Sequence, residues 1–173
     1  MGSVGSLPGT AAALLGYLRS RRPNDAEDVA SETWISVARG LGTFQRNEDG
    51  FRRWVFTIAR RRLVDLARDE SRRPPTVTGA ASLDEPSLAA PDAETDALDT
   101  LATRQALEHV ASLPPKEAEI ILLRVIAGLS TDDVASITGR SSVAVRVVQH
   151  RALRRLAKAL SKSLVTLQSR LAI

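Results

Sequence analysis

Between Asp25 and Leu41, apolar residues fall at Val29, Trp34, Val37, Ala38 and Leu41, close to the spacing of a helix with one buried face. Asp25, Glu27 and Asp28 crowd its predicted start, where the helix dipole favours carboxylates, and Gly40 and Gly42 close it. A shorter helix, Thr10 to Arg21, precedes it. The following stretch, TFQRNEDG, reads as a polar loop from Thr43 to Gly50. From Phe51 a stronger period begins: Phe51, Val55, Ile58, Ala59, Leu63 and Leu66, with Trp54 widening the face. This predicts a long helix into the neighbourhood of Asp69, completing a three-helix unit over residues 10–73.

The pattern then breaks. RRPPTVTGAASLDEPSLAAPD holds prolines, small residues and acids that bury little apolar area, so residues 74–93 read as a flexible linker. Helical spacing resumes near Glu94 and runs to Ser112, where LPP stops it. Another helix is predicted from Pro115 or Lys116 through Ala127. Gly128 turns the chain into GLSTDDVASITGRSSVAVRVVQHRALRRL, two helices around Gly139, the last extending past Leu160. No strand signal competes. The expected fold is all-α: two small helical domains, 10–73 and 94–173, on a tether.

Composition narrows the chemistry. Aromatic residues make up only 3% of the 173, so the core must be built from Leu, Val, Ile and Ala, which suits packed helices. Cysteine is absent, which excludes disulfide staples, thiolate metal sites and Cys nucleophiles. The acids of DAED stand at a helix start without further ligands at fitting spacing, so neither a metal site nor a cofactor nor a catalytic group is expected. No apolar run approaches the roughly 18–20 residues of a membrane span, and no basic segment precedes the mildly apolar start. Insertion in a membrane is not expected.

Charge is more informative than its net value of +4. Arg140 to Ile173 holds eight Lys/Arg and no acid. Gly50 to Arg73 holds eight Arg against Asp65, Asp69 and Glu70. Pro74 to Thr100 holds six acids and no base. Two basic blocks flanking an acidic one point to two separate contacts with a polyanion.

The motif around Gly139 has the steric logic of a helix–turn–helix. Small Ala135 lies where the helices cross, Gly139 supplies a positive φ, and Val134, Ile137, Val145 and Val148 fill the space between them. Ser141 or Ser142 caps the second helix. On that helix Val145, Val148, Ala152 and Leu156 share one face. The other presents Val143, Arg146, Val147, His150, Arg151, Arg154 and Arg155. Such a helix fits a major groove, with base edges read near its N-terminal half and phosphates held alongside. Arg151 suits a bidentate bond to guanine, and Val147 a thymine methyl. The bland alternative, a basic amphipathic helix in an ordinary bundle, does not account for the missing acids. The motif is expected to bind DNA.

DAEDVASETWISVARGLGTF followed by FRRWVFTIARRRLVDLAR resembles region 2 of the extracytoplasmic-function (ECF, group 4) sigma factors of the sigma-70 family. The helix–turn–helix with its preceding LPP, ILLR and GLS similarly resembles region 4. Both pieces in this order, across an acidic linker, cover nearly all of Ala11 to Leu160. The resemblance implies an alternative, cytoplasmic sigma factor that brings core RNA polymerase to promoter DNA through −10 and −35 elements. Asp25, Glu27, Asp28 and Glu32 would then dock on the polymerase clamp helices, and the second domain on the flap. Phe44, Gln45, Arg46 and Asn47 would capture an unstacked −10 base, with Arg52, Arg53, Arg60, Arg61 and Arg62 facing its backbone or nearby duplex. Trp54 and Phe56 sit at helical spacing, where aromatics are more often core than stacking platforms. The family is commonly held by an anti-sigma factor, which is therefore an expected partner. Two departures stand out: MGSVGSLPGT replaces a longer aromatic-rich first helix, and Val148 and Gln149 replace a frequent Arg and Leu.

A dimeric helix–turn–helix repressor is the competing class. It would need a sizeable apolar pocket or interface in the first half, and three short helices with a basic face offer little of either.

Overall fold

The computed structural model describes residues 7–44, 48–72 and 105–171, with side chains described for 9–44, 50–72 and 105–162. These residues form helices joined by short turns, with no strand among them. The linker 74–93 and the predicted helical stretch 94–104 lie outside the described residues.

In the first half, α1 (Leu7–Arg21), α2 (Ala26–Gly40) and α3 (Glu48–Arg72) pack together, with single 3-10 turns at Pro23–Asp25 and Leu41–Thr43. Most of the apolar period reappears as burial: Val29 and Val37 of α2 and Val55, Ala59 and Leu63 of α3 are inside, whereas Ala38 and Leu41, expected on the same face of α2, are exposed. Phe56 is fully buried and meets Tyr17 edge-on, ring centroids 5.6 Å apart, which places it in the core. The Tyr17 hydroxyl is buried without a partner. Burial, reinforced by the Glu119 carboxylate, pushes the phenol well above its ordinary pKa, so it stays neutral. Arg22, at the end of α1, grips Glu70 near the end of α3 through two bonds of 2.6 Å.

Two expected boundaries move. α1 begins at Leu7 instead of Thr10, and the polar loop is shorter than predicted because Glu48–Gly50 already belong to α3. Acids in a first turn are favoured there, and Gly50 is buried, so packing offsets glycine's poor helix propensity.

In the second half, residues 105–111 form a short helix, α4, followed by α5 (Pro115–Val125), α6 (Thr131–Thr138) and α7 (Ser142–Leu171). Pro115 takes the first position of α5, where its missing N–H costs nothing. Gly128 and Gly139 have φ of +62° and +67°. At Gly139 the left-handed residue ends α6, and the next helix begins three residues later. Gly139→Ala should lower stability by about 1–2 kcal/mol, the cost of a Cβ in that conformation. Thermal denaturation would register it as a lower Tm.

The two helical units are not held apart. α1 lies against α5 and α3 against α6, and buried residues of both halves belong to one apolar cluster. Two small helical domains on a tether were expected; the structure shows two helical units, and they share a core.

Candidate nucleic-acid interface

The helix–turn–helix is fixed at three points. Ser130 caps α6 in a reciprocal box: its hydroxyl accepts from the Asp133 N–H at 3.1 Å, and the Asp133 carboxylate accepts from the Ser130 N–H at 3.3 Å. At the start of α7 the Ser141 hydroxyl accepts from the Ala144 N–H at 3.1 Å, so Ser141 is the cap. Ser142 donates to Asp132, tying the start of α7 to that of α6. Val134, Ile137 and Val145 are buried between the helices, with Val148 half-buried beside them, while Ala152 and the half-buried Leu156 pack against Ala118 and Ile121 of α5.

That packing decides which side of α7 faces outward. Val143, Arg146, Val147, His150, Arg151, Arg154 and Arg155 are all exposed, Val143 by 67% and Val147 by 45%. Exposed valines among cations match a surface that meets both base methyls and phosphates. Arg151, Arg154, Arg155 and Lys158 lie side by side along this face. Arg155 also pairs at 3.4 Å with Glu117 of α5, whose side chain is mostly buried, so it ties α7 to α5 as well as carrying charge.

Arg124 was not singled out by sequence reasoning. From the end of α5 it donates to the Leu129 carbonyl and, at 3.3 Å, to the Gln149 side chain on α7. It therefore braces the turn against the helix that presents the exposed face. No local spacing signals this role, since Gln149 lies 25 residues away.

In the first half the candidate residues divide into groups. Phe44 stacks on Trp54 with centroids 4.9 Å apart and meets Phe51 edge-on at 5.6 Å. Trp54 is half-buried, and a Cβ at Gly40 would come within 2.7 Å of its ring, so glycine there makes room for the stack. Gln45, Arg46 and Asn47 lie outside the described residues; Phe44 precedes them and α3 begins at Glu48. Arg61 and Arg62 are exposed on α3. Arg62 pairs with Glu32 at 3.3 Å and donates to the Ser36 hydroxyl at 3.2 Å. Arg52 is half-buried, while Arg53 and Arg60 turn to the second half, where they meet Asp133 and Glu119.

The acids expected to meet a basic partner lie around the start of α2. Asp28 and Glu32 are exposed on its outer face, with Ile35 one turn further on. Glu27 pairs with Arg19 at 2.7 Å, and Asp25 with Arg22 at 3.7 Å. Three of the four acids are thus engaged by arginines, Glu27 by Arg19, Asp25 by Arg22 and Glu32 by Arg62, while Asp28 is exposed on the outer face of α2. Among the described residues no cluster of His, Cys, Asp and Glu is suited to a metal ion, and no helix is long and apolar enough to cross a membrane.

Comparison with known proteins places both halves. Residues 10–73 match the model of sigma-70 region 2, and residues 103–156 that of sigma-70 region 4. The chain is 36% identical over 152 residues to the ECF RNA polymerase sigma factor ShbA of Streptomyces griseus, covering 82% of this chain and 78% of ShbA. It is 33% identical over 144 residues to the ECF sigma factor BldN of Streptomyces coelicolor, covering 83% of this chain and 54% of BldN. Thus the match spans about half of BldN but most of ShbA. The fold resembles the sigma factor RpoE solved with the anti-sigma factor NepR from Bartonella quintana, with a TM-score of 0.67, 24% identity and coverage of 88% and 92% of the two chains. With region 2 and region 4 present in order, and relatives matched across both, this chain belongs to the ECF sigma factors of the sigma-70 family.

Proposed function

We propose that this protein is an alternative sigma factor, a cytoplasmic specificity subunit with no catalytic group of its own. It binds core RNA polymerase and directs initiation at promoters bearing its −35 and −10 elements. The observation that carries the reading is the outward face of α7, seven exposed side chains without an acid, joined in one chain to a region 2 unit. α7 enters the major groove of the −35 element, with Arg151 and Val147 on base edges and Arg154 and Arg155 beside phosphates. The segment from Phe44 to Asn47 receives a −10 base, and the arginines of α3 hold the strand. Asp28 and Glu32, with Asp25 and Glu27 behind them, meet the basic clamp helices of the polymerase, while the second half contacts the flap. An anti-sigma factor is the expected regulator, in keeping with the NepR-bound relative in fold.

Purification with core polymerase tests the reading. The chain should co-elute with the core enzyme and support run-off transcription from a subset of promoters that the core alone does not use. Sequence-specific DNA binding without polymerase association would assign it to the repressor class instead.

A further inference from the structure

Two valines on the outward face of α7 lie outside the apolar core. Val143 and Val147 stand one turn apart at the start of the helix, and both are exposed. Among the described residues Val143 is the most exposed large apolar side chain of α7. Neither valine belongs to an apolar cluster of the protein. Valine is also a poorer helix former than alanine, so the two side chains serve neither the core nor the helix.

Their direction is nevertheless fixed. The Ser141 hydroxyl accepts from the Ala144 N–H at 3.1 Å, and Ser142 donates to Asp132. Val145, between the two valines, is fully buried and sets the rotation of the first turns. Just beyond them, Arg124 holds Gln149 at 3.3 Å. A branched Cβ leaves one strongly favoured χ1 rotamer in a helix, so each valine presents its methyl groups at a nearly constant place. Little side-chain freedom is lost when such a residue makes a contact.

The surrounding charge selects the partner. Arg146, His150 and Arg151 flank the pair, and no acid occurs from Arg140 to Ile173. An apolar protein surface would strip these cations of water without pairing them. A major groove pairs them with phosphates and base edges while covering the valines. The methyl group that a base edge offers there is at C5 of a pyrimidine, carried by thymine and equally by 5-methylcytosine. Residues four apart rise about 6 Å along a helix, close to the roughly 6.8 Å of two base-pair steps. Two methylated pyrimidines one or two steps apart thus fall within reach of the two side chains.

We infer that Val143 and Val147 form a paired methyl reader, selecting pyrimidines that carry a C5 methyl group, thymine or 5-methylcytosine, at two nearby positions of the −35 element. This rests on the reading of α7 as the −35 helix and adds what that helix selects. It also makes promoter choice responsive to DNA methylation, because a methyl added to cytosine at either position strengthens binding.

The test uses the full chain and a −35 duplex that it selects from a random pool. Each thymine is replaced in turn by uracil, which lacks only the methyl group. At two positions, one or two base pairs apart, uracil should weaken binding about threefold to fivefold, the loss expected for one buried methyl. Elsewhere the change should stay below about twofold. At the same two positions 5-methylcytosine should bind more tightly than cytosine by a similar factor, although the rest of the base edge differs from that of thymine. Val143→Ala should erase the methyl increment at one position and Val147→Ala at the other. Both variants should stay folded, since the side chains are exposed and alanine favours the helix. An element selected without thymine, uracil tolerated throughout, or a methyl increment that survives in both variants would overturn the inference. Selection of no preferred duplex at all would instead overturn the reading of α7 as a sequence-reading helix.

Discussion

Arg151→Ala is expected to cost about 1–3 kcal/mol at a single base pair of the −35 element, and little when that base pair is already changed. The side chain is exposed on α7, one turn beyond Val147, and none of the ion pairs among the described residues engages it. Its loss should therefore remove a base contact without disturbing the fold. Arg155→Ala should behave differently. Arg155 is committed in part to Glu117 at 3.4 Å, so its removal leaves a mostly buried carboxylate without its counter-charge and lowers the melting temperature. On DNA it should weaken every sequence alike and reduce the salt slope by about one unit, as the loss of one phosphate contact does. Anisotropy titrations of the full chain against singly substituted −35 duplexes, at two salt concentrations, separate the two patterns. If both variants lose affinity equally on every duplex, the base-reading face lies elsewhere on α7.

The helix–turn–helix was legible because its determinants are local. A glycine at the one position needing φ of +67°, a serine directly before α7, and apolar residues at Val145, Val148, Ala152 and Leu156 lie within one short stretch. The capping box was equally within reach, since Ser130 stands three residues before Asp133. Long-range features were not. Arg53 and Asp133 are 80 residues apart, Arg60 and Glu119 are 59, and both pairs form across a linker that hides the pairing. The charge runs marked α3 as a cationic surface but carried no sign of what would cover it. Arg124 was invisible for the same reason: its value lies in joining Leu129 to Gln149, not in any spacing on α5.

Aromatic residues show how context decides a role that periodicity leaves open. Phe56 and Trp54 stand two positions apart on α3 and belong to different environments. Phe56 points into the core against Tyr17. Trp54 lies at its edge, where it and Phe51 enclose Phe44 at the mouth of the α2–α3 connection. The spacing of Phe51, Val55, Ile58 and Ala59 gave the buried face correctly, but a residue beside that stripe packs inside only if a neighbour covers it. Phe44 provides that cover, and it comes from outside the helix.

The same aromatic cluster frames the strongest test of DNA opening. Phe44 is held by Trp54 and Phe51, and α3 begins at Glu48. Replacing Gln45, Arg46 and Asn47 with alanine should therefore leave the helices folded, with unchanged helicity and melting temperature. Closed-complex formation should stay nearly intact, since the proposed −35 and polymerase contacts do not involve these residues. Strand opening should fall by about tenfold or more, because the hydrogen bonds that offset a few kcal/mol of unstacking and unpairing are gone. Permanganate reactivity of −10 thymines reads that loss directly. A template already unpaired across the −10 element needs no such offset and should restore much of the transcription. Normal opening of duplex promoter by the triple variant would make the segment a connector only and move the melting role to the arginines of α3. Arg61 and Arg62 would then be the first to substitute, being exposed on that helix while Arg53 and Arg60 face the second half.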